Sequence, residues 1–457
     1  MSKVSCFKLW ALSILVLGSW SGYSAVAPSS SDIGDLDLPA EIFPLTQEPE
    51  GDLPLMRSEA PSYQSERDWM DVREKILSDS GNRISTAFLV PDGLKQRTQF
   101  WFDIYARWGR AHHVVHHARY PWIVFRVIDT TQMLVNSKGP TWLRQDRANK
   151  LAKKQTAEIR AALKKLSKRK DYIRLSSLER ELFNKLLPVK GKRQKVFAVA
   201  AKEMRSQLGQ RDYFQGGLVN STRYLPYMED EFRAMGLPTE LTRLPFVESS
   251  FNEKAYSKVG ASGIWQIMPR TGKSYMIVSD KIDERNSPLK ATVAAGRLLR
   301  EYHRGVGRDW ALAVTSYNSG IGNVLKAVKG SKSRDLATVI ERYQKGGFKF
   351  ASSNFFTCFL AALYAEKYNE LLFKEIPRQP LQEREVLKIA GRTHLKYLPK
   401  ITGLDLKEIL KYNLDLRVAR NGNVTLPRGF MLHLPPGYKA RVQRDVGTQD
   451  AKSKPNT

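Results

Sequence analysis

Glu248 is the residue of this chain best suited to proton chemistry. It stands among Phe246, Val247 and Phe251. A carboxyl in apolar company loses hydration, so its neutral form is favoured and its pKa rises. An acid that stays protonated near neutral pH has what a general acid needs for cleaving a glycosidic bond. Further on, Gln266 is the polar exception in the apolar run Ile264-Trp265-Gln266-Ile267-Met268-Pro269, where its amide could read a substrate amide. Gly260 and Gly263 bracket a tight turn just before it. Hydrolysis with inversion would need a second carboxylate about 6.5–9.5 Å from the acid, to activate water. From Lys254 to Ser279 there is no Asp or Glu, and Asp280, Asp283 and Glu284 are the first that follow.

These side chains need helices to hold them. Pro238 suits the first turn of one helix, with Leu241, Leu244 and Val247 as its apolar face. Pro245 cannot donate its backbone hydrogen bond, so it is expected to bend or end that helix just before Glu248. Ser287-Pro288 reads as a second helix start, with Val293, Leu299 and Tyr302 on its apolar side. Asp309 can cap a third helix, in which Ala313, Val314 and Tyr317 share a face and Tyr317-Asn318-Ser319-Gly320 forms the end. Singly these are ordinary features of a helical bundle, and a lone Glu at a helix end is usually a solvated cap.

In combination they resemble the lytic transglycosylases with the goose-type lysozyme fold, glycoside hydrolase family 23, and most of all their membrane-bound lytic transglycosylase D group. The resemblance rests on Glu248-Ser249 with Phe251, Ala255, Ser257, Gly260-Ala261, Gly263, Trp265-Gln266, Met268-Pro269 and Thr271-Gly272. It continues through Asp283-Glu284-Arg285, Pro288, Ala291-Thr292 and Ala294-Ala295, then Tyr317-Asn318-Ser319-Gly320 and Gly322. It implies a mainly α protein whose lysozyme-like (SLT) catalytic domain acts on peptidoglycan glycan strands, with no metal or other cofactor. Glu248 would protonate the oxygen between N-acetylmuramic acid and N-acetylglucosamine. The same carboxylate would then take the proton of the sugar's own 6-hydroxyl, leaving a 1,6-anhydromuramyl end without consuming water. Ser257 and Gln266 would contact the muramyl sugar, Met268 would line the cleft, and Tyr317 and Asn318 would position Glu248 and the glycan. One departure stands out. The family commonly carries an Asn-Tyr pair in a late helix whose hydroxyl approaches the catalytic Glu. Here the corresponding stretch is Asn354-Phe355-Phe356, so the helper role is open or passes to Tyr317 or Tyr364. Two rival readings remain: a muramidase that hydrolyses the same bond, and a non-catalytic wall-binding protein that keeps the fold.

The rest of the 457 residues sets the context. Lys3 and Lys8, the apolar stretch Leu9–Trp20 and Ala25-Val26-Ala27 give residues 1–27 the three-part layout of a cleavable export signal. That predicts the periplasm or envelope of a Gram-negative bacterium, with peripheral association at most. Residues 28–62 carry eight acids against Arg57 and read as an acidic disordered linker. The whole chain is +28, so the remainder is steeply basic. Such a charge seeks a polyanion, and an export signal argues against nucleic acid. Residues 63–222 are predicted to be a basic, mainly helical accessory region resembling no family. In it Leu151, Ile159, Leu163 and Leu166 fall at helical spacing among lysines, and Trp122–Ile128 reads as a strand. His112, His113, His116 and His117 would form two i, i+4 pairs on a helix, a spacing that can chelate metal, but a polar turn is the preferred reading. Residues 223–375 form the catalytic domain. Residues 376–445 are predicted to be a small α+β module, with 390–436 resembling a degenerate LysM-type glycan-binding unit, followed by a disordered tail over 446–457. Two cysteines, Cys6 and Cys358, exclude a disulfide scaffold.

Overall fold

The computed structural model describes residues 65–136, 138–373, 375–417 and 424–439. The expected export signal over 1–27, acidic linker over 28–62 and tail over 446–457 lie outside these residues. The architecture is mainly helical. No helix among the described residues is long and apolar enough to cross a membrane.

The chain enters through α1 (Glu66–Leu77), capped by the Ser65 hydroxyl, and α2 (Lys95–Ala106). Then come β1 (His112–His117), β2 (Val124–Asp129), α3 (Thr131–Asn136), α4 (Thr141–Lys168), α5 (Ser177–Lys185), α6 (Arg193–Glu203) and β3 (Met204–Leu208). The three strands form an antiparallel sheet in the order β2-β1-β3. Ile159, Leu163 and Leu166 of α4 are buried against Leu182, Phe197, Val115 and Phe125. Lys153, Lys154, Lys164, Lys165 and Lys168 stand on the exposed face of the same helix.

The four histidines form neither a helix nor a turn: they make the central strand β1. Spacing of i, i+4 is a helical criterion, but Val114 and Val115 between the pairs are β-branched, and strands pair on both sides. His116 and His117 are buried. Burial pushes the His116 pKa down to about 3 and that of His117 to about 4, so both rings are neutral. His116 packs on Phe100 and Phe350, with centroids 4.7 and 5.9 Å away. The strand expected from Trp122 begins at Val124, because Ile123 N–H turns back to the Tyr120 carbonyl at 2.8 Å.

The next helices are α7 (Arg211–Ser221), α8 (Leu225–Ala234), α9 (Leu244–Glu248), α10 (Pro269–Gly272), α11 (Pro288–Gly305), α12 (Trp310–Ser319), α13 (Ile321–Ser331), α14 (Leu336–Arg342), α15 (Phe350–Lys367) and α16 (Asn369–Leu372). In α15 every residue from Ser352 to Ala365 is buried, as expected of a helix apolar on all sides. Both α2 and α9 pack against it. One hydrophobic core therefore draws on residues 69–114 and 214–373 together.

The last part holds β4 (Glu385–Lys388), β5 (Thr393–His394), α17 (Leu398–Thr402), α18 (Leu406–Tyr412), β6 (Thr425–Leu426) and β7 (Met431–Leu434). Asp405 caps α18. The pairs β4–β7 and β5–β6 are antiparallel. Asn413 ties α18 to β7: its Nδ2 donates to the carbonyls of Ile409 and His433 at 2.8 and 2.7 Å, and its Oδ1 accepts from His433 N–H at 2.9 Å. Ile282, from the segment before α11, completes the apolar core of this part.

Candidate active site

Glu248 is the last residue of α9. Pro245 does not end a helix here. A 3₁₀ turn over Thr239–Arg243 follows Pro238, and α9 then begins at Leu244 with Pro245 in its first turn. There the missing N–H costs nothing and the fixed φ favours initiation. Phe246 packs edge-on to Phe251 (4.7 Å) and close to Phe214 (4.9 Å). Ser250 and Phe251, immediately after the helix, both have positive φ (50° and 54°). For residues with a Cβ this conformation costs energy, and it turns the chain sharply away behind the carboxyl.

The Glu248 side chain is half-buried. Burial pushes its pKa up to about 8, and no cation or hydrogen-bond donor offsets the effect. It is therefore a neutral acid at pH 7, held ready to give a proton. Three polar groups feel its charge: the buried Tyr105 and Cys358 and the partly buried Tyr317 side chains, whose pKa values are raised first by desolvation and further by Glu248.

The segment facing α9 is a compact double turn. Ser257 N–H donates to the Ala261 carbonyl at 2.8 Å, and the Ser257 hydroxyl accepts from Ala261 N–H at 2.9 Å. Ser262 bridges to both Tyr256 and Ile267. Ser249 Oγ donates to the Ile264 carbonyl at 2.8 Å, joining the end of α9 to this turn. Gln266 has φ +46°. Its Nε2 donates to the carbonyls of Gly263 (2.8 Å) and Ala255 (3.2 Å), whereas its Oε1 is buried without a partner. The amide thus holds the turn with its donor end and keeps an acceptor free. Met268 is more than one-third exposed. Trp265 is fully buried, stacked on Phe232, with its indole N–H donating to Thr292 Oγ1 at 2.9 Å.

α12 closes the arrangement. Asp309 caps it through Leu312 N–H (2.9 Å), and the Tyr317 hydroxyl donates to the Trp265 carbonyl at 2.8 Å. Glu248, Tyr317 and the Ser257–Met268 turn are thereby brought together on three elements. Asn318 follows Tyr317, half-buried, near the end of the helix.

The departure at Asn354-Phe355-Phe356 has a structural counterpart. Asn354 Oδ1 accepts from Arg97 Nη1 (2.8 Å) and Trp101 Nε1 (2.9 Å), which clamps α2 to α15. One turn along both helices, Tyr105 meets Cys358. The Tyr105 hydroxyl is buried and makes no well-formed hydrogen bond. Tyr364 is directed elsewhere, toward the Phe88 carbonyl at 3.4 Å. Tyr105 was missed in the sequence, where nothing links it to a glutamate so far along the chain. Among the described residues no three His, Cys, Asp or Glu side chains group as a metal site.

Comparison with known proteins fits this geometry. Residues 228–340 match the family described as the Transglycosylase SLT domain. Over 138 residues the chain is 33% identical to the membrane-bound lytic murein transglycosylase D of Escherichia coli K12, covering 30% of each chain. The protein of the same name from Escherichia coli O6:H1 aligns with the same identity and the same coverage. The chain thus spans about a third of the length of these curated relatives. The segment that carries Glu248, the Ser257–Met268 turn and Tyr317 falls within the stretch that matches the transglycosylase SLT domain.

Proposed function

We propose that this protein is a peptidoglycan lytic transglycosylase that cleaves the bond between N-acetylmuramic acid and N-acetylglucosamine and leaves 1,6-anhydromuramyl ends. The observation that carries this reading is Glu248: a desolvated carboxyl, with pKa raised to about 8, inside an SLT domain. In the ground state it is protonated and donates to the glycosidic oxygen. Once charged, it has no ion-pair partner to hold its negative charge, so it readily takes a proton back from the sugar's 6-hydroxyl. Gln266 offers its free Oε1 to an N–H of an N-acetyl group, while Ser257 and Asn318 contact the glycan and Met268 lines the cleft. Tyr317 acts through position: tied to the Trp265 carbonyl, it fixes the turn opposite Glu248.

A water-free route is favoured over hydrolysis because three of the acids nearest in sequence are already engaged. Asp283 accepts from Arg285 and Arg417, and Glu284 accepts from Ile277 N–H and lies 3.2 Å from Lys290 Nζ. Glu253 accepts from Arg223 and Tyr224. None of these three is a free base for water, and Asp280, the first acid after the carboxylate-free stretch, is exposed. We read the α+β unit over 376–445 as a glycan-binding module, supported by its order of two strands, two helices and two strands, with the outer strands paired. Residues 1–27 are read as an export signal that delivers the protein to the periplasm.

The test is digestion of purified sacculi with wild type and Glu248→Gln, followed by mass spectrometry. Wild type should release muropeptides one water lighter than muramidase products, and Glu248→Gln should release none while still binding sacculi. Reducing muramyl ends as the main product would instead show a hydrolase.

A further inference from the structure

The segment Lys281–Arg285 belongs to two parts of the molecule at once. On one side it meets the C-terminal module as a short antiparallel pairing. Ile282 bridges to Leu416, Asp283 N–H donates to the Asp415 carbonyl at 2.8 Å, and Arg417 N–H donates to the Lys281 carbonyl at 3.0 Å. On the other side, Arg285 reaches into the turn opposite Glu248. Its Nη1 donates to the carbonyls of Gly260 (2.6 Å) and Ile267 (2.9 Å), one on each limb of that turn. Ser257 lies just before the first carbonyl, and Gln266 and Met268 flank the second. Gly263 rests flush on the same place, since a Cβ there would sit 1.9 Å from the Arg285 carbonyl oxygen.

The hinge between the two sides is Asp283, 1% exposed. Its carboxylate accepts from Arg285 Nε (2.9 Å) and Nη2 (2.7 Å), and from Arg417 Nη2 of the C-terminal module. Beside it, Lys290 donates to Asp415 Oδ2 at 2.6 Å and lies 3.6 Å from the Phe430 ring centroid. A buried carboxylate shared by two guanidinium groups fixes both, because bidentate charged hydrogen bonds are strong and directional.

We propose that the C-terminal module is a built-in brace of the substrate cleft, with Arg417 as a positioning residue that acts through Asp283 and Arg285 on the Ser257–Met268 turn. The proposal rests on the reading of that turn as glycan-binding. Glu248 sits on α9, outside the braced turn, so loosening the brace should weaken binding more than the proton transfer.

The test uses the full chain with Arg417→Ala and Arg417→Lys. Hydrogen exchange needs no turnover and so stands apart from the proposed activity. In Arg417→Ala the amides of Ala261, Ser262 and Gly263 should exchange about tenfold faster, an opening that stays local, while those of α12 are unchanged. On glycan strands, KM should rise about fivefold with kcat within about twofold, the pattern of lost ground-state binding. Arg417→Lys, which keeps a cation for Asp283, should recover most of both effects. Unchanged exchange in the turn, or exchange raised equally throughout the protein, would overturn the proposal. So would a loss confined to kcat. Absence of cleavage by wild type would count against the proposed function alone and leave the exchange result to decide the brace.

Discussion

In the proposed function, a carboxyl would become an acid catalyst through what is withheld from it. Glu248 has no cation beside it, and burial alone raises its pKa to about 8. Activity should therefore fall as pH rises through about 8, when the proton to be delivered is lost. Stability carries the same signature. The folded state holds this proton more tightly than the unfolded chain, whose carboxyl titrates near 4.5. Rising pH therefore weakens the fold across that window. In Glu248→Gln the group no longer titrates. Its melting temperature relative to wild type should be constant at low pH, climb between about pH 4.5 and 8, and level off above. Scanning thermal unfolding across pH would reveal it, and a difference that stays flat over the whole range would refute the raised pKa.

Among the elements, the turn from Ser257 to Met268 is the most demanding of sequence. Gly263 has φ +74°, and any Cβ would collide with the Arg285 backbone. Gly263→Ala should cost about 2–4 kcal/mol of stability and abolish tight glycan binding, because the turn must lift off Arg285 to make room. Unfolding curves together with sacculus pull-down would check both effects. How much of this was legible beforehand depended on distance along the chain. The Asp309 cap, the start at Ser287-Pro288 and the apolar company of Glu248 are local, and the sequence displays them directly. The direction of Pro245's effect was not legible, since a proline reads alike as the end of one helix or the start of the next. The strand at His112–His117 was hidden because its partners are contributed by residues 124–129 and 204–208. Tyr105 and Arg417 were invisible for the same reason: each reaches the site through pairing between distant segments, which leaves no periodic trace.

For the whole molecule, the governing quantities are a net charge of +28 and a core that crosses the chain. The exposed lysines of α4 should draw the protein to an anionic wall by attraction screened over about 8 Å at physiological salt. Because α2 and α15 share one core, a fragment cut at residue 222 would unfold, so the charge is tested in the full chain. The proper comparison is the full chain with Lys153, Lys154, Lys164 and Lys168 changed to Gln. Sacculus binding by wild type should weaken steeply as salt rises, and the variant should show a shallower slope with unchanged cleavage of short, soluble glycans. Equal slopes would assign the attraction to another surface.

Ser250, Phe251 and Gln266 all hold left-handed backbone without being glycine: the first two follow the acid closely in the chain, and the third lies in the facing turn. Glycine at Ser250 would relax the chain at little cost, whereas at Phe251 or Gln266 it would forfeit the packing on Phe246 or the hydrogen bonds that hold the turn. A laboratory selection for heat resistance therefore has an easy gain at Ser250, two residues past the acid. Variants surviving such a selection should divide into those that kept Ser250 and still cut, and those that exchanged it and merely endure.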